Sequence, residues 1–205
     1  MRFRVLLSIF LCLGALAQER PQKACSFDGF SADPKLAEVT KATVGYFGCL
    51  MAKDCRPAKL AAGEALMPYN SDGDWTCAYL QQRDGAGPGW VRPQDIRAVP
   101  ADPAPPLDAW SGTWVNRGDH IRIVASKASG KLHLEGDAKW HGIADVVHYG
   151  KFAGAATPVG NHLHFVDDPC IVDLTLIGKF LVANDNNQCG GMNVRFLGLW
   201  TRSAK

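Results

Sequence analysis

Histidines and carboxylates are the side chains that type and spacing best suit to chemistry. His162 and His164 stand two apart in His162-Leu163-His164-Phe165, and in a strand that period sends both imidazoles to the same face. Asp167 and Asp168 follow directly. Such a group can chelate a divalent ion, but a site needs three or four ligands, and His133, His141 and His148 join only if the fold carries them in. The same pattern describes the solvated face of a half-buried strand. Glu135, Asp137 and Asp145 offer carboxylates for an acid and base pair, although carboxylates near turns commonly serve solvation and turn geometry. There is no Gly-x-Ser-x-Gly elbow to present a serine. Gly190-Gly191 has no helix after it to cradle phosphate and reads as a turn. On these residues the chain is expected to be non-catalytic, with no metal or cofactor assigned.

The cysteines exclude a thiolate nucleophile in another way. Of seven, Cys12 falls in an apolar leader, which leaves Cys25, Cys49, Cys55, Cys77, Cys170 and Cys189. An even number in an exported chain reads as disulfides. Spacing places four of them before residue 78 and two after residue 169, so each half can satisfy its own. Cys170 with Cys189 is the expected pair in the second half; closing a loop of that size contributes roughly 3 kcal/mol in the chain-entropy picture. In the first half, Cys49 with Cys55 and Cys25 with Cys77 are expected. Zinc is the rival, but Cys49 and Cys55 lack both the short ligand gap and a matching second pair.

Export itself is read from residues 1–17: Arg2 and Arg4, an apolar run from Val5 to Leu13, then Ala15-Leu16-Ala17 before Gln18. That is the form of a secretory signal peptide. The run is too short for a bilayer core, which takes about 20 residues as a helix, and no later run is longer, so no membrane insertion is expected once the leader is removed. The chain has 22 basic and 20 acidic residues; without Arg2 and Arg4 the formal charge falls to zero. A nucleic-acid partner is excluded on that balance, because such binders draw most of their affinity from neutralising phosphates. The periplasm or the extracellular space is the expected location.

The elements that would position these groups form an all-β chain of two small antiparallel domains. Residues 18–39 read as an irregular tether, 40–99 as a first domain, 100–106 as a linker with four prolines in seven residues, and 107–205 as a second domain. The prolines remove donors and favour extended backbone, so the linker is expected to act as a semi-rigid spacer. In the first domain, short runs at Thr43 to Phe47, Glu64 to Tyr69, Trp75 to Leu80 and Gly89 to Val91 read as strands between turn clusters. Gly63-Glu64-Ala65-Leu66, Asp72-Gly73-Asp74-Trp75 and Gly89-Trp90-Val91 together resemble a bacterial SH3-like domain. That resemblance implies a small barrel and, from its relatives, recognition of cell-wall peptides, with Tyr69, Trp75, Tyr79 and Trp90 as candidate ligand-binding aromatics. Trp75 and Trp90 can equally be core, since a small barrel needs large rings to fill it; Tyr69 and Tyr79 are then the surface pair.

The second domain alternates regularly: Ile121 and Ile123 about Arg122, Leu132 and Leu134 about His133, Leu163 and Phe165 about His164. Period two gives each strand one apolar face. Val172, Leu174 and Leu176 continue it, and Ile171 with Ile177 on the other side suggest a strand buried on both faces. Gly178 reads as a turn, and Asn193 to Thr201 as the last strand. Eight or nine short strands suit a closed barrel or compact sandwich. Leu107 to Trp110 as a helical turn, Gly112-Thr113-Trp114, and Arg202 after Trp200 resemble the closure of lipocalin-type barrels, in which a cation covers an indole. Residues 184–193 are similar to a segment of exported proteobacterial proteins that pair these two domain types, a likeness that carries no activity.

The resulting expectation is a non-catalytic exported binding protein of the cell envelope, its SH3-like module recognising a cell-wall peptide or an envelope protein. One alternative is an inhibitor of a hydrolase, a lysozyme or an exported protease, presenting the loop Asp185 to Met192. The other is a carrier of a small apolar ligand within the second domain. Oligomeric state leaves no mark in the sequence.

Overall fold

The computed structural model describes residues 21, 23–25, 33–47, 55–80, 87–143 and 145–203. The expected leader and Cys49 lie outside them. The chain is all-β, in two antiparallel sheets. The first contains β1 (Ala37–Val39), β2 (Thr43–Phe47), β3 (Arg56–Leu60), β4 (Ala65–Asp72), β5 (Trp75–Tyr79), β6 (Pro88–Val91) and β7 (Ile96–Ala98). Their order is β3-β2-β6-β5-β4-β1-β7. Val39, Phe47, Leu60, Leu66, Ala78, Leu80 and Val91 form its core. Four of these strands follow the expected runs, whereas β1, β3 and β7 do not. β1 lies within the stretch read as an irregular tether. β3 carries Pro57 and sits at the sheet edge, where a missing donor costs no ladder bond.

The second sheet is a simple meander of β8 (Gly112–Asn116), β9 (Asp119–Ser126), β10 (Lys131–His141), β11 (Val147–Ala156), β12 (His162–Asp167), β13 (Cys170–Ile177), β14 (Phe180–Asp185) and β15 (Gly198–Arg202). β15 pairs back onto β8, so the eight strands curl into a nearly closed barrel, with the open seam between β11 and β12. Across that seam the Phe152 and Phe165 rings meet at 5.2 Å. The alternation read from sequence fills the interior: Ile121, Ile123, Leu132, Leu134, Leu163, Phe165, Val172, Leu174 and Leu176 all point inward and are buried. Trp110, Trp114 and Trp200 are buried completely.

The barrel's closure is held by a cation over a ring. Leu107–Trp110 forms a 3-10 turn; its Trp110 carbonyl accepts from the Trp114 indole at 2.9 Å. The Arg202 guanidinium lies 4.6 Å from the Trp114 ring centroid and donates to the Ala109 carbonyl at 2.6 Å. Gly112 passes beneath it with φ of 147°, and a Cβ there would stand 3.2 Å from the Arg202 side chain. No other residue type fits that conformation and that space together.

The sheets do not stand apart on a spacer. Leu36, Ala65 and Met67 of the first pack against Ile177, Phe180, Val182 and Leu199 on the barrel's outer wall. Lys179 pairs with Glu38 at 3.0 Å, and Val99 fills the space over Gly178 in the β13–β14 turn. Pro106 is extended, but the apolar outer faces of β13, β14 and β15 need cover, and the first sheet supplies it.

Replacing Arg202 by alanine should lower stability by about 1–2 kcal/mol in urea unfolding, the scale of a cation–π contact with a charged hydrogen bond. Arg202→Lys should recover part of it. Phe180→Asp should split one cooperative transition into two, the two sheets then melting separately in calorimetry.

Candidate functional site

The four candidate aromatics do not form a groove. Trp75 and Trp90 are buried, 7% and 3% exposed, and pack with the Cys25–Cys77 disulfide. The Trp90 indole donates to the Lys23 carbonyl at 2.9 Å; Arg92 covers Trp75 at 3.9 Å. Tyr69 is half-buried beside the same disulfide, with its hydroxyl 3.3 Å from the Cys25 sulfur. Tyr79 is half-buried elsewhere, against the cluster that joins the sheets. Three of these rings therefore seal residues 23–25 onto β4, β5 and β6, and the fourth belongs to an internal interface. Cys25–Cys77 and Cys170–Cys189 are bonded as spacing suggested, and Cys55 is also disulfide-bonded. Cys49, its expected partner, lies outside the described residues.

Nor do the histidines converge. His162 and His164 both project outward from β12, but each is met by the neighbouring strand: His162 Nδ1 by Thr175 Oγ1 at 3.1 Å, His164 Nδ1 by Asp173 Oδ1 at 2.6 Å. Asp167 accepts from the Ala153 amide at 3.4 Å across the seam. Among the described residues no three His, Cys, Asp or Glu side chains gather as a metal-holding group. Glu135 pairs with Arg122 at 3.5 Å and Asp137 with Lys151 at 3.2 Å, as exposed cross-strand pairs. A depression of about 290 Å³ on the outer wall, lined by Arg122, Val124, His133 and Glu135 with Ala153 and Ala155 as its floor, contains no buried polar group.

What the structure does build is the chain between β14 and β15. Asp185 ends β14 with a side chain that has no exposed surface. Its carboxylate accepts from Arg195 Nε at 2.6 Å, from the Asn187 amide at 2.9 Å and from the Phe196 amide. A buried carboxylate is tolerated only when its lone pairs are met in this way. Asn186 adds a second knot: its Nδ2 donates to the Pro169 carbonyl at 2.7 Å and its Oδ1 accepts from the Ile171 amide at 3.1 Å. Cys189 is bonded to Cys170. Asn187 and Asn193 take positive φ, 61° and 66°, a region asparagine enters more readily than most residues.

Comparison of the chain with protein-family models, with curated proteins and with solved structures found no match.

The loop 186–197 is thus anchored at both ends and in its middle. Val194 and Phe196 turn into the barrel core, while Gln188, Gly190, Gly191, Met192 and Asn193 face solvent. Gly190 touches Gly150 of β11, and a Cβ on either would strike the other's backbone, so this glycine is required for the close approach. The Gly191 amide donates to the Tyr149 carbonyl at 3.0 Å, and His148 Nδ1 lies 2.6 Å from the Met192 carbonyl. Sequence reading placed the start of the last strand at Asn193; it begins at Gly198, because the Phe196 amide serves Asp185 rather than a ladder. Asp185 and Arg195 were not foreseen. An acid and an arginine flanking a cysteine and two glycines were the available signal.

Asp185→Asn keeps the shape and removes the charge. It should cost about 2–3 kcal/mol, discounted from a fully buried pair because Arg195 is partly exposed. Amide exchange of residues 186–197 should quicken selectively, with β8–β13 amides protected as before.

Proposed function

We propose that this chain is an exported, non-catalytic binding protein that inhibits a hydrolase, a lysozyme or an exported protease, by inserting the loop 186–197. In this reading the barrel is a small lipocalin-like scaffold and the first sheet an SH3-like module that braces it, in the periplasm or outside the cell. The observation that carries it is the loop itself: anchored by a disulfide and a buried carboxylate, with Met192 72% exposed at its tip. A segment already held in one conformation loses little entropy on binding, so more of its contact energy appears as affinity.

Other observations support it. The disulfides accord with an oxidising compartment. No helix among the described residues is long and apolar enough to cross a membrane. Glu135 and Asp137 are used in ion pairs on the barrel wall rather than facing each other across a cleft. Recognition of cell-wall peptide through Tyr69, Trp75, Tyr79 and Trp90 has less support, since the two tryptophans are core. A small apolar ligand would have to displace Trp114, Phe196 and Trp200 from a filled barrel.

The purified chain with intact disulfides, assayed against a panel of lysozymes and secreted metalloproteases and serine proteases, should inhibit at least one member. Met192→Asp should weaken that inhibition by roughly tenfold or more without changing the melting temperature. Silence across the panel overturns the reading. Sedimentation of the chain with insoluble cell wall, lost on Tyr69→Ala, would replace it with the envelope-binding one.

A further inference from the structure

Thiols and thioethers are the side chains that peroxides oxidise most readily, each to the extent that solvent reaches it. Among the described residues the fold spends or shields all of these but one. Cys25, Cys55, Cys77, Cys170 and Cys189 are disulfide-bonded, so no thiol of the described residues competes for an oxidant. Met67 on β4 is 3% exposed and packs in the cluster that joins the two sheets. Of the chain's other methionines, Met1 falls in the expected leader and Met51 lies outside the described residues. Met192 is 72% exposed. Its neighbours on one side are Gly190 and Gly191, which place no side chain beside it.

The fold uses the backbone around Met192 and leaves its side chain out. The Met192 carbonyl meets His148 Nδ1 at 2.6 Å, and the Gly191 amide before it donates to the Tyr149 carbonyl at 3.0 Å. Val194, two residues on, is already in the barrel core. The thioether belongs to none of the buried apolar clusters. A chemical change at this sulfur therefore alters the surface of the loop without touching the carboxylate of Asp185, the Cys170–Cys189 bond or the core that hold it. The same change at Met67 would put a polar group between the two sheets, where it has to be desolvated.

We propose that Met192 is an oxidative modification site, at which a peroxide converts the thioether to a sulfoxide and thereby releases the loop's partner while the chain stays folded. The sulfur attacks one oxygen of the peroxide, the O–O bond breaks and an S=O bond forms. The remaining oxygen leaves as water from hydrogen peroxide, or as an alcohol from an organic peroxide. Sulfur is oxidised by two electrons and the peroxide is reduced by the same two. The product replaces a flexible apolar tip with a polar, chiral one. In a contact that excludes water, the new oxygen costs free energy unless the partner supplies a donor to it. The release of a partner rests on the inhibitor reading, whereas the selectivity of the site for oxidation stands on burial alone.

The test treats the full chain, disulfides intact, with hydrogen peroxide and follows each methionine by peptide mass mapping. Met192 should gain one oxygen atom roughly tenfold faster than Met67 or more, with the melting temperature unchanged when Met192 is fully oxidised. Inhibition of the panel enzyme should weaken by roughly tenfold or more in step with oxidation of Met192. Met192→Leu, whatever its starting affinity, should inhibit equally before and after the same treatment. Equal rates at Met67 and Met192, or a melting temperature that falls as Met192 is oxidised, overturns the site. Undiminished inhibition by the oxidised chain, or an equal loss in Met192→Leu, overturns the release and leaves the inhibitor reading standing. If the untreated chain inhibits no panel member, the inhibitor reading and the release fall together, and the peptide map decides the site by itself.

Discussion

A fully buried carboxylate, that of Asp185, organises the end of the barrel away from the linker. Asp185 closes β14, and its position forces a choice on the chain: either three donors are brought to it or a charge is left stranded at a cost of several kcal/mol. The donors come from Asn187 just beyond it and from Arg195 and Phe196 on the return. To deliver them, the backbone must leave the ladder at Asp185, travel around the barrel mouth and come back before β15 starts at Gly198. The exposure of residues 187, 188 and 190–193 follows from the detour. Val194 and Phe196 become the plug, and Met192 becomes the tip. Other connections in the meander are much shorter, and one this long without internal anchors would be a mobile excursion.

The plug matters because the barrel is filled rather than hollow. Phe196 meets Phe152 at 4.7 Å edge-on and lies near-parallel to Trp200 at 6.4 Å, so the loop's own residue completes the aromatic core. At the other end Trp110 and Trp114 do the same under Arg202. The outer wall has a separate requirement: Ile177, Phe180, Val182 and Leu199 face away from the core and would form an exposed apolar patch if uncovered. The first sheet lies over them. Its own small core is stapled by Cys25–Cys77, a closure worth about 4 kcal/mol in the chain-entropy picture. Each sheet thus supplies what the other lacks, and the division leaves the barrel mouth free.

How much of this the sequence showed depends on which physical signal each part leaves. Strands with one wet face announce themselves by alternation, which is why β9, β10, β12 and β13 stood where Ile121-Arg122-Ile123 and its counterparts placed them. Ile177 even betrayed the second buried face of β13 before a partner was known. The Gly112-Thr113-Trp114 and Arg202 pair was legible because ring and cation are distinctive types at the two ends of one domain. Short strands left nothing to read: Ala37–Val39 has no room for a period, and Pro57 in β3 argues against a strand until the edge is visible. Trp75 and Trp90 were ambiguous for a different reason, since a large amphipathic ring suits a groove and a core alike. Burial around a disulfide, which composition cannot reveal, decided between them. Val194 and Phe196 imitated a strand because their alternation is real; only the hydrogen bond to Asp185 withholds them from the ladder.

The β10–β11 hairpin was the least legible part. Apolar residues are normally read as core because burial is what stabilises a fold, about 25 cal/mol for each Å² removed from water. Ile143, 92% exposed, gains almost none of it, and Val146, 46% exposed, gains only part, so neither carries the signature of a core position. Trp140 against Gly142, the Lys139 amide on Asp119 and the contact of His148 with the Met192 carbonyl tie the hairpin to the rest of the barrel. The barrel interior, by contrast, is occupied by Trp114, Phe196 and Trp200, which belong to its own core.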